Sequence, residues 1–193
     1  PNFQNPAGVS LSLERRSEIK KIAADVYDKY VSERLWSGTI EIARKHLAQG
    51  LEVWLVTAAP QHMAELIAER LGFTGALGTI AETKDGIYTG KMVGEMLHGK
   101  TKAEAVLKLA NERNLDLKNS YAYSDSHFDI PLLTSVGNPR AINPDTKLQI
   151  KAHLDSWPIH DFRKARRVSA VLGPLLARIF SALTYLKPQR RQH

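Results

Sequence analysis

The continuous apolar run Val53-Trp54-Leu55-Val56 constrains this chain more than any other stretch. Four consecutive apolar residues bounded by turn formers suit a strand buried on both faces, as in a parallel sheet covered by helices. Its surroundings agree. Ser37 to Ala48 reads as a helix closed by Gly50, and Gln61 to Leu71 as a helix stopped by Gly72. Glycine is the residue that most easily takes the left-handed turn beyond a helix end. Asp85-Gly86, between strand-like flanks, signals a tight hairpin within residues 78–91. Thr101 to Asn114 forms an amphipathic helical pattern, residues 120–125 a short strand, Ile130 to Val136 a helix and residues 140–143 a last strand before Pro144. Alternating strands and helices predict an α/β fold: a parallel sheet with helices on both faces. Upstream, Ser12 is placed to cap a helix whose apolar positions Ile19, Ile22, Ala23, Val26, Tyr30 and Val31 recur at helical spacing.

Composition removes several functions. The 193 residues contain no cysteine, which excludes disulfides, zinc–thiolate sites and cysteine nucleophiles and fits a cytoplasmic protein. No secretory signal is visible near residue 1, and the first residue, proline, points to processing or a fragment. The net charge of +7 is local: residues 161–193 carry eight Lys/Arg against one acid, Asp161, and residues 1–160 balance. A basic tail on a neutral body argues against a nucleic-acid-binding core. No Gly-x-Gly-x-x-Gly follows a strand, which removes a dinucleotide site.

Three separated pieces can converge at the carboxyl ends of parallel strands, where open α/β sheets place their sites. Thr57 directly follows the apolar run. Its hydroxyl, with the amides of Ala58 and Ala59, can hold a phosphate oxygen; the plainer alternative is a helix cap. Lys102 opens a helix and can neutralise a phosphate and a carboxylate, although Lys100 is as good a candidate by charge. Asp125 and Asp129 follow the strand Tyr121-Ala122-Tyr123. Two acids so spaced can share a magnesium ion, which prefers hard oxygen ligands and keeps several waters.

Taken in this order, the apolar run with Thr57, then Lys102, then Tyr-Ser-Asp-Ser-x-x-Asp-x-Pro-Leu-Leu, the sequence resembles motifs II, III and IV of the haloacid dehalogenase (HAD) superfamily. It is most similar to the subfamily around phosphoserine phosphatase, and the likeness spans about residues 12–160. The resemblance implies a Rossmann-like parallel sheet and a Mg²⁺-dependent phosphomonoester hydrolase with an aspartate nucleophile. Its substrate would be a small phosphorylated compound such as phosphoserine or a phosphorylated lipid head group. By the same resemblance, Thr57 and Ala58 bind the phosphoryl group, Lys102 stabilises its charge and orients the nucleophile, and Asp125 and Asp129 hold Mg²⁺ or its waters. The implied division is a partial helical cap over 1–35, the core over 36–160 and a tail over 161–193.

The chain also departs from that family. Members carry an apolar strand ending in Asp-x-Asp-x-Thr/Val, whose first aspartate is the nucleophile. The only aspartates before Thr57 are Asp25 and Asp28, in a helical pattern. These 193 residues therefore lack the motif I strand and are expected to be inactive alone. Ser124 stands where the family often has glycine and adds a side chain near the metal loop, which is tolerable there if it points away; His127 is expected to be a surface-loop residue. The alternative to an enzyme is a non-catalytic module that binds through the fold and docks through its tail. Basic clusters flank the apolar stretch Val168 to Leu186, which suggests an interfacial helix on anionic lipid through residues 163–191, or docking on the core or a partner.

Overall fold

The computed structural model describes residues 21–22, 24–84 and 87–163. The Ser12 cap, the Asp85-Gly86 turn and the tail beyond 163 lie outside them. In chain order the elements are α1 (Ser37–Ala48), β1 (Trp54–Pro60), α2 (Gln61–Leu71), β2 (Gly75–Thr79), β3 (Ala81–Lys84) and β4 (Ile87–Met92). They continue with α3 (Lys100–Arg113), β5 (Tyr121–Ser124), α4 (Ile130–Leu133), β6 (Asn138–Ile142), α5 (Thr146–Leu154) and β7 (Ile159–His160). Helix ends follow the local chemistry: Gly72 and Asn114 take left-handed conformations just beyond α2 and α3.

The fold is α/β, as the alternation predicts, and its parallel strands fall into two groups. β1 pairs with β2, and β5 with β6 and then β7, all parallel. Among the described residues no strand pairs with the second edge of β1 or of β5. This corrects one expectation. Residues 53–56 are only half-buried, because one edge of their strand has no neighbour. The hairpin is β3 with β4, antiparallel, Lys84 opposite Ile87. Gly78 and Thr79, expected to begin that hairpin, instead complete β2 beside β1.

Helix α3 spans the divide. At one end of α3, Arg113 is bonded to Glu52 at 2.6 and 2.9 Å and lies over the Trp54 ring beside β1. Towards its other end, Lys102 reaches Asp129 beyond β5. On α1, His46 Nε2 meets the Tyr123 hydroxyl of β5 at 2.8 Å. The segment before α1 leans on α2, where Arg70 pairs with Asp28 at 3.2 Å and lies over the buried Tyr27 ring. Beyond β7, the Phe162 amide donates to Asn143 and the Arg163 guanidinium to Asp161 and Pro144, so residues 161–163 are bonded to the body.

The larger core gathers Leu133, Leu148, Ala141 and Ala152, all fully enclosed, under β5 and β6. A smaller one, Ala64, Ala68 and Ala76, joins α2 to β2. Gly137 enters β6 where a side chain has no room: a Cβ there would overlap the carbonyl oxygen of Lys118, and the Gly137 amide donates to Leu117 at 2.9 Å. Gly137→Ala is expected to cost about 3 kcal/mol, read as a lowered urea midpoint, because backbone must move.

The His46 contact gives the fold a pH response. Burial first, and the Arg140 charge second, lower its pKa, and Nδ1 is enclosed with no partner among the described residues. A charged ring would need acceptors on both nitrogens. The unfolded chain takes up a proton near pH 6.5, where the folded His46 does not. This contribution is present above that pH and is lost as pH falls towards the lowered folded value. Burial lowers His62 too, so both act in the same direction. His46→Gln, which keeps a partner for Tyr123, is expected to lose less stability than the wild type between about pH 7.5 and 5.5 in urea melts.

Candidate functional site

Regular pairing of β1 with β2 ends at Val56, and the register shifts before Pro60. Thr57 sits in this irregular stretch at the carboxyl end of the strand. Its Oγ1 accepts from the Ala59 amide at 3.2 Å, so that amide is partly engaged while the hydroxyl proton remains available to donate. The Ala58 carbonyl accepts from the buried Thr79 hydroxyl at 2.8 Å, and Thr79 Oγ1 accepts from the Leu97 amide at 3.1 Å. The loop leading to α3 is thereby tied to the Thr57 turn. Thr101 closes this loop: its one hydroxyl proton lies within reach of the Met96 and His98 carbonyls, and its oxygen accepts from the His98 amide.

Within the first turn of α3 the two lysine candidates separate. Lys100 is largely exposed and pairs with Glu104 along the helix surface at 3.4 Å. Lys102 turns inward, with its Nζ 2.9 Å from Asp129 Oδ2 and side chains only 13% and 9% exposed. Close geometry and further hydrogen bonding both offset the desolvation of a buried pair of this kind. Ser124 supplies the second: its hydroxyl lies 2.7 Å from the same Asp129 oxygen. Ser124 therefore points onto the acidic residue and is accommodated by bonding to it, not by pointing away.

Asp125 follows β5 directly and is exposed; among the described residues nothing donates to its carboxylate. A short 3₁₀ turn, His127–Asp129, capped by the Ser126 hydroxyl, brings Asp129 round to Lys102. Asp145, one residue before α5, braces this loop. Its Oδ2 accepts from the His127 amide and from ring Nδ1, its Oδ1 caps α5 at Leu148, and its amide donates to the Asp125 carbonyl. Burial opposes the Asp145 charge, but bonds from Leu148 and His127 prevail and hold its pKa down at about 2. His127 is therefore a bonded part of the loop. Phe128, half-exposed, rests between the His98 and His127 rings at centroid distances of 4.7 and 4.1 Å.

The structure thus joins Lys102 to Asp129 directly and ties the Thr57 turn to their neighbourhood through Thr79 and Leu97. Asp125 lies at the carboxyl end of the adjacent strand group. Sequence reasoning missed two supports, Ser124 and Asp145. The signal for Asp145 was available: an aspartate after Asn-Pro and ahead of a helical pattern is a cap. An open cleft near Thr134, Gly137, Arg140 and Trp157 lies towards the amino end of β6, away from these residues. No group of three or more His, Asp or Glu able to hold a metal occurs among the described residues. The two acids still suit a magnesium ion. Such ions are commonly bound through one or two carboxylates plus substrate oxygens and water; here Asp125 is unengaged and Asp129 keeps Oδ1 free of protein donors.

A family model described as haloacid dehalogenase-like hydrolase matches residues 8–134. The chain belongs to this family. Among curated HAD relatives, phosphoserine phosphatase SerB1 of Mycobacterium tuberculosis is 48% identical over 164 residues, covering 84% of this chain and 53% of that protein. The chain thus spans about half the length of that relative. Among solved structures, a Bordetella pertussis protein of unknown function superposes with a TM-score of 0.70 at 30% identity, over 75% of this chain and 66% of that one. An apo phosphoserine phosphatase follows with a TM-score of 0.52 at 25% identity, covering 66% of this chain and 63% of that one. The HAD resemblance and the α/β architecture expected from the sequence are both shown by these matches.

Proposed function

We propose that this chain supplies the phosphate- and magnesium-binding part of a HAD-type phosphomonoester hydrolase. The Lys102–Asp129–Ser124 junction at the end of β5 carries the reading, because it places a buried cation beside a carboxylate in the motif III and IV positions. A phosphoserine-like monoester is the favoured substrate class, on the strength of the mycobacterial relative's name.

In this proposal the Thr57 hydroxyl donates to a phosphoryl oxygen, and the Ala58 amide lies beside it in the same turn. Lys102 balances charge between that phosphoryl group and the carboxylates around it. Asp125 and Asp129 would hold Mg²⁺, which when bound supplies charge neutralisation at the phosphoryl oxygens. Phosphoryl transfer asks mainly for this positioning and electrostatic stabilisation. The attacking carboxylate comes from none of these residues. We assign it to a strand from polypeptide outside the 193 residues, seated on the second edges of β1 and β5. Peripheral contact with anionic lipid through residues 163–191 belongs to the same proposal and rests on their basic and apolar pattern. No helix among the described residues is long and apolar enough to cross a membrane.

The reading is tested by phosphate release from a panel of phosphomonoesters, using the chain joined behind a motif I strand, with Mg²⁺ or with EDTA. Mg²⁺-dependent release that Asp125→Asn abolishes is the expected result. Release indifferent to both contradicts it.

A further inference from the structure

Asp129 presents its two oxygens unequally. Oδ2 receives both the Lys102 ammonium, at 2.9 Å, and the Ser124 hydroxyl, at 2.7 Å. Oδ1 receives no donor among the described residues. Ser124 is itself fixed: it ends β5, is 8% exposed, and its Oγ accepts from the Ser126 amide at 3.2 Å. With the Ser126 N–H directed at Oγ, the hydroxyl proton is left to point at the carboxylate.

A lysine alone would not set which oxygen is engaged. Its ammonium is a compact point charge on a flexible stem with three rotatable donors, and it can serve either oxygen of a carboxylate equally well. A hydroxyl anchored to the end of a strand has one direction. A hydrogen bond from it to an ionised oxygen is among the stronger kinds. Together they commit Oδ2 to protein donors and leave Oδ1 as the oxygen with acceptor capacity to spare.

We propose that Ser124 is a positioning residue, which fixes the rotation of the Asp129 carboxylate so that Oδ1 remains available to a divalent cation or its water. The inference rests on the phosphatase reading of this site and adds a residue to it. Ser124 acts through Asp129 and touches neither cation nor phosphate. Partners that orient a ligand in this way commonly govern metal affinity by about 10- to 100-fold.

Mn²⁺, used as the spectroscopic stand-in for Mg²⁺, is titrated into the 193-residue chain and free ion is followed by EPR, with thermal midpoints recorded for each variant. Ser124→Ala and Ser124→Gly are expected to weaken binding about ten-fold with midpoints little changed. Ser124→Thr, which restores the hydroxyl, is expected to recover most of that affinity. Binding within two-fold of wild type in both Ala and Gly variants overturns the proposal. So does a loss of affinity that tracks a collapsed midpoint and that threonine does not repair, since that is a structural role. A wild-type chain whose Mn²⁺ binding is absent, or is indifferent to Asp125→Asn, defeats the phosphatase reading of the acids and the Ser124 proposal with it.

Discussion

Alone, the 193-residue chain is expected to hydrolyse p-nitrophenyl phosphate at least about a thousand-fold more slowly than the same chain joined behind an apolar strand ending in Asp-x-Asp-x-Thr. The reason is chemical before it is structural. In the proposed site Thr57, Lys102, Asp125 and Asp129 bind and neutralise a phosphoryl group, and none of them is assigned to attack it. Removing a nucleophile from such a set typically costs several orders of magnitude, and the residual rate comes from binding and electrostatics. The fold supplies the second half of the argument. β1 and β5 each leave one edge unpaired among the described residues, α3 contacts both strand neighbourhoods, and α1 contacts that of β5. A strand added there would gain two ladders of backbone hydrogen bonds and would further bury residues 53–56, now half-exposed. The joined protein is therefore expected to melt at a higher temperature as well as to turn over substrate. Equal rates with and without the added strand would contradict the assignment.

Lys102→Met is expected to destabilise the chain by about 3 kcal/mol and to abolish Mn²⁺-assisted phosphate binding. Methionine fills much of the volume of the lysine stem, so the change isolates the charge. Asp129 is 6% exposed and loses its ion-pair partner, keeping only Ser124. Breaking a buried pair by deleting one member commonly costs 3–5 kcal/mol, because the remaining charge stays desolvated. Lys100→Met serves as the control: its ammonium is solvent-exposed and pairs only along the helix surface, an interaction worth a few tenths of a kcal/mol. Urea midpoints of the two variants check the contrast. Equal, small effects would remove Lys102 from the site.

The distinction between these lysines shows where sequence alone ran out. Charge and position suited both, and the family resemblance favoured Lys102; only the turn of α3 shows which one faces Asp129. The helix ends at Gly50 and Gly72 were legible because their signals are local; the Asn-Pro-Asp ahead of α5 carries a signal of the same kind, and it was missed. Thr57, Asp125 and Asp129 read as a site only in combination, because a hydroxyl or carboxylate after an apolar run serves equally well as a helix cap. β7 was not, since its two residues carry no periodicity and form a strand only through pairing with β6. The role of Ser124 was hidden for a similar reason. A side chain in place of glycine looks like an obstruction until its partner five residues on is seen to fold back over it. The half-exposure of residues 53–56 was hidden too, because an apolar run reports the neighbours it needs and not those it has.

Paramagnetic broadening of the backbone amide spectrum by Mn²⁺, in the presence of phosphate, tests the central claim most directly. If one pocket gathers these groups, amides of residues 57–59, 101–102 and 124–129 broaden together at the same low Mn²⁺ concentration, and Asp125→Asn removes the effect at all three. Broadening that spares residues 57–59 and 101–102, or that survives the Asp125 change, would mean that the acids, the lysine and the threonine do not share a site.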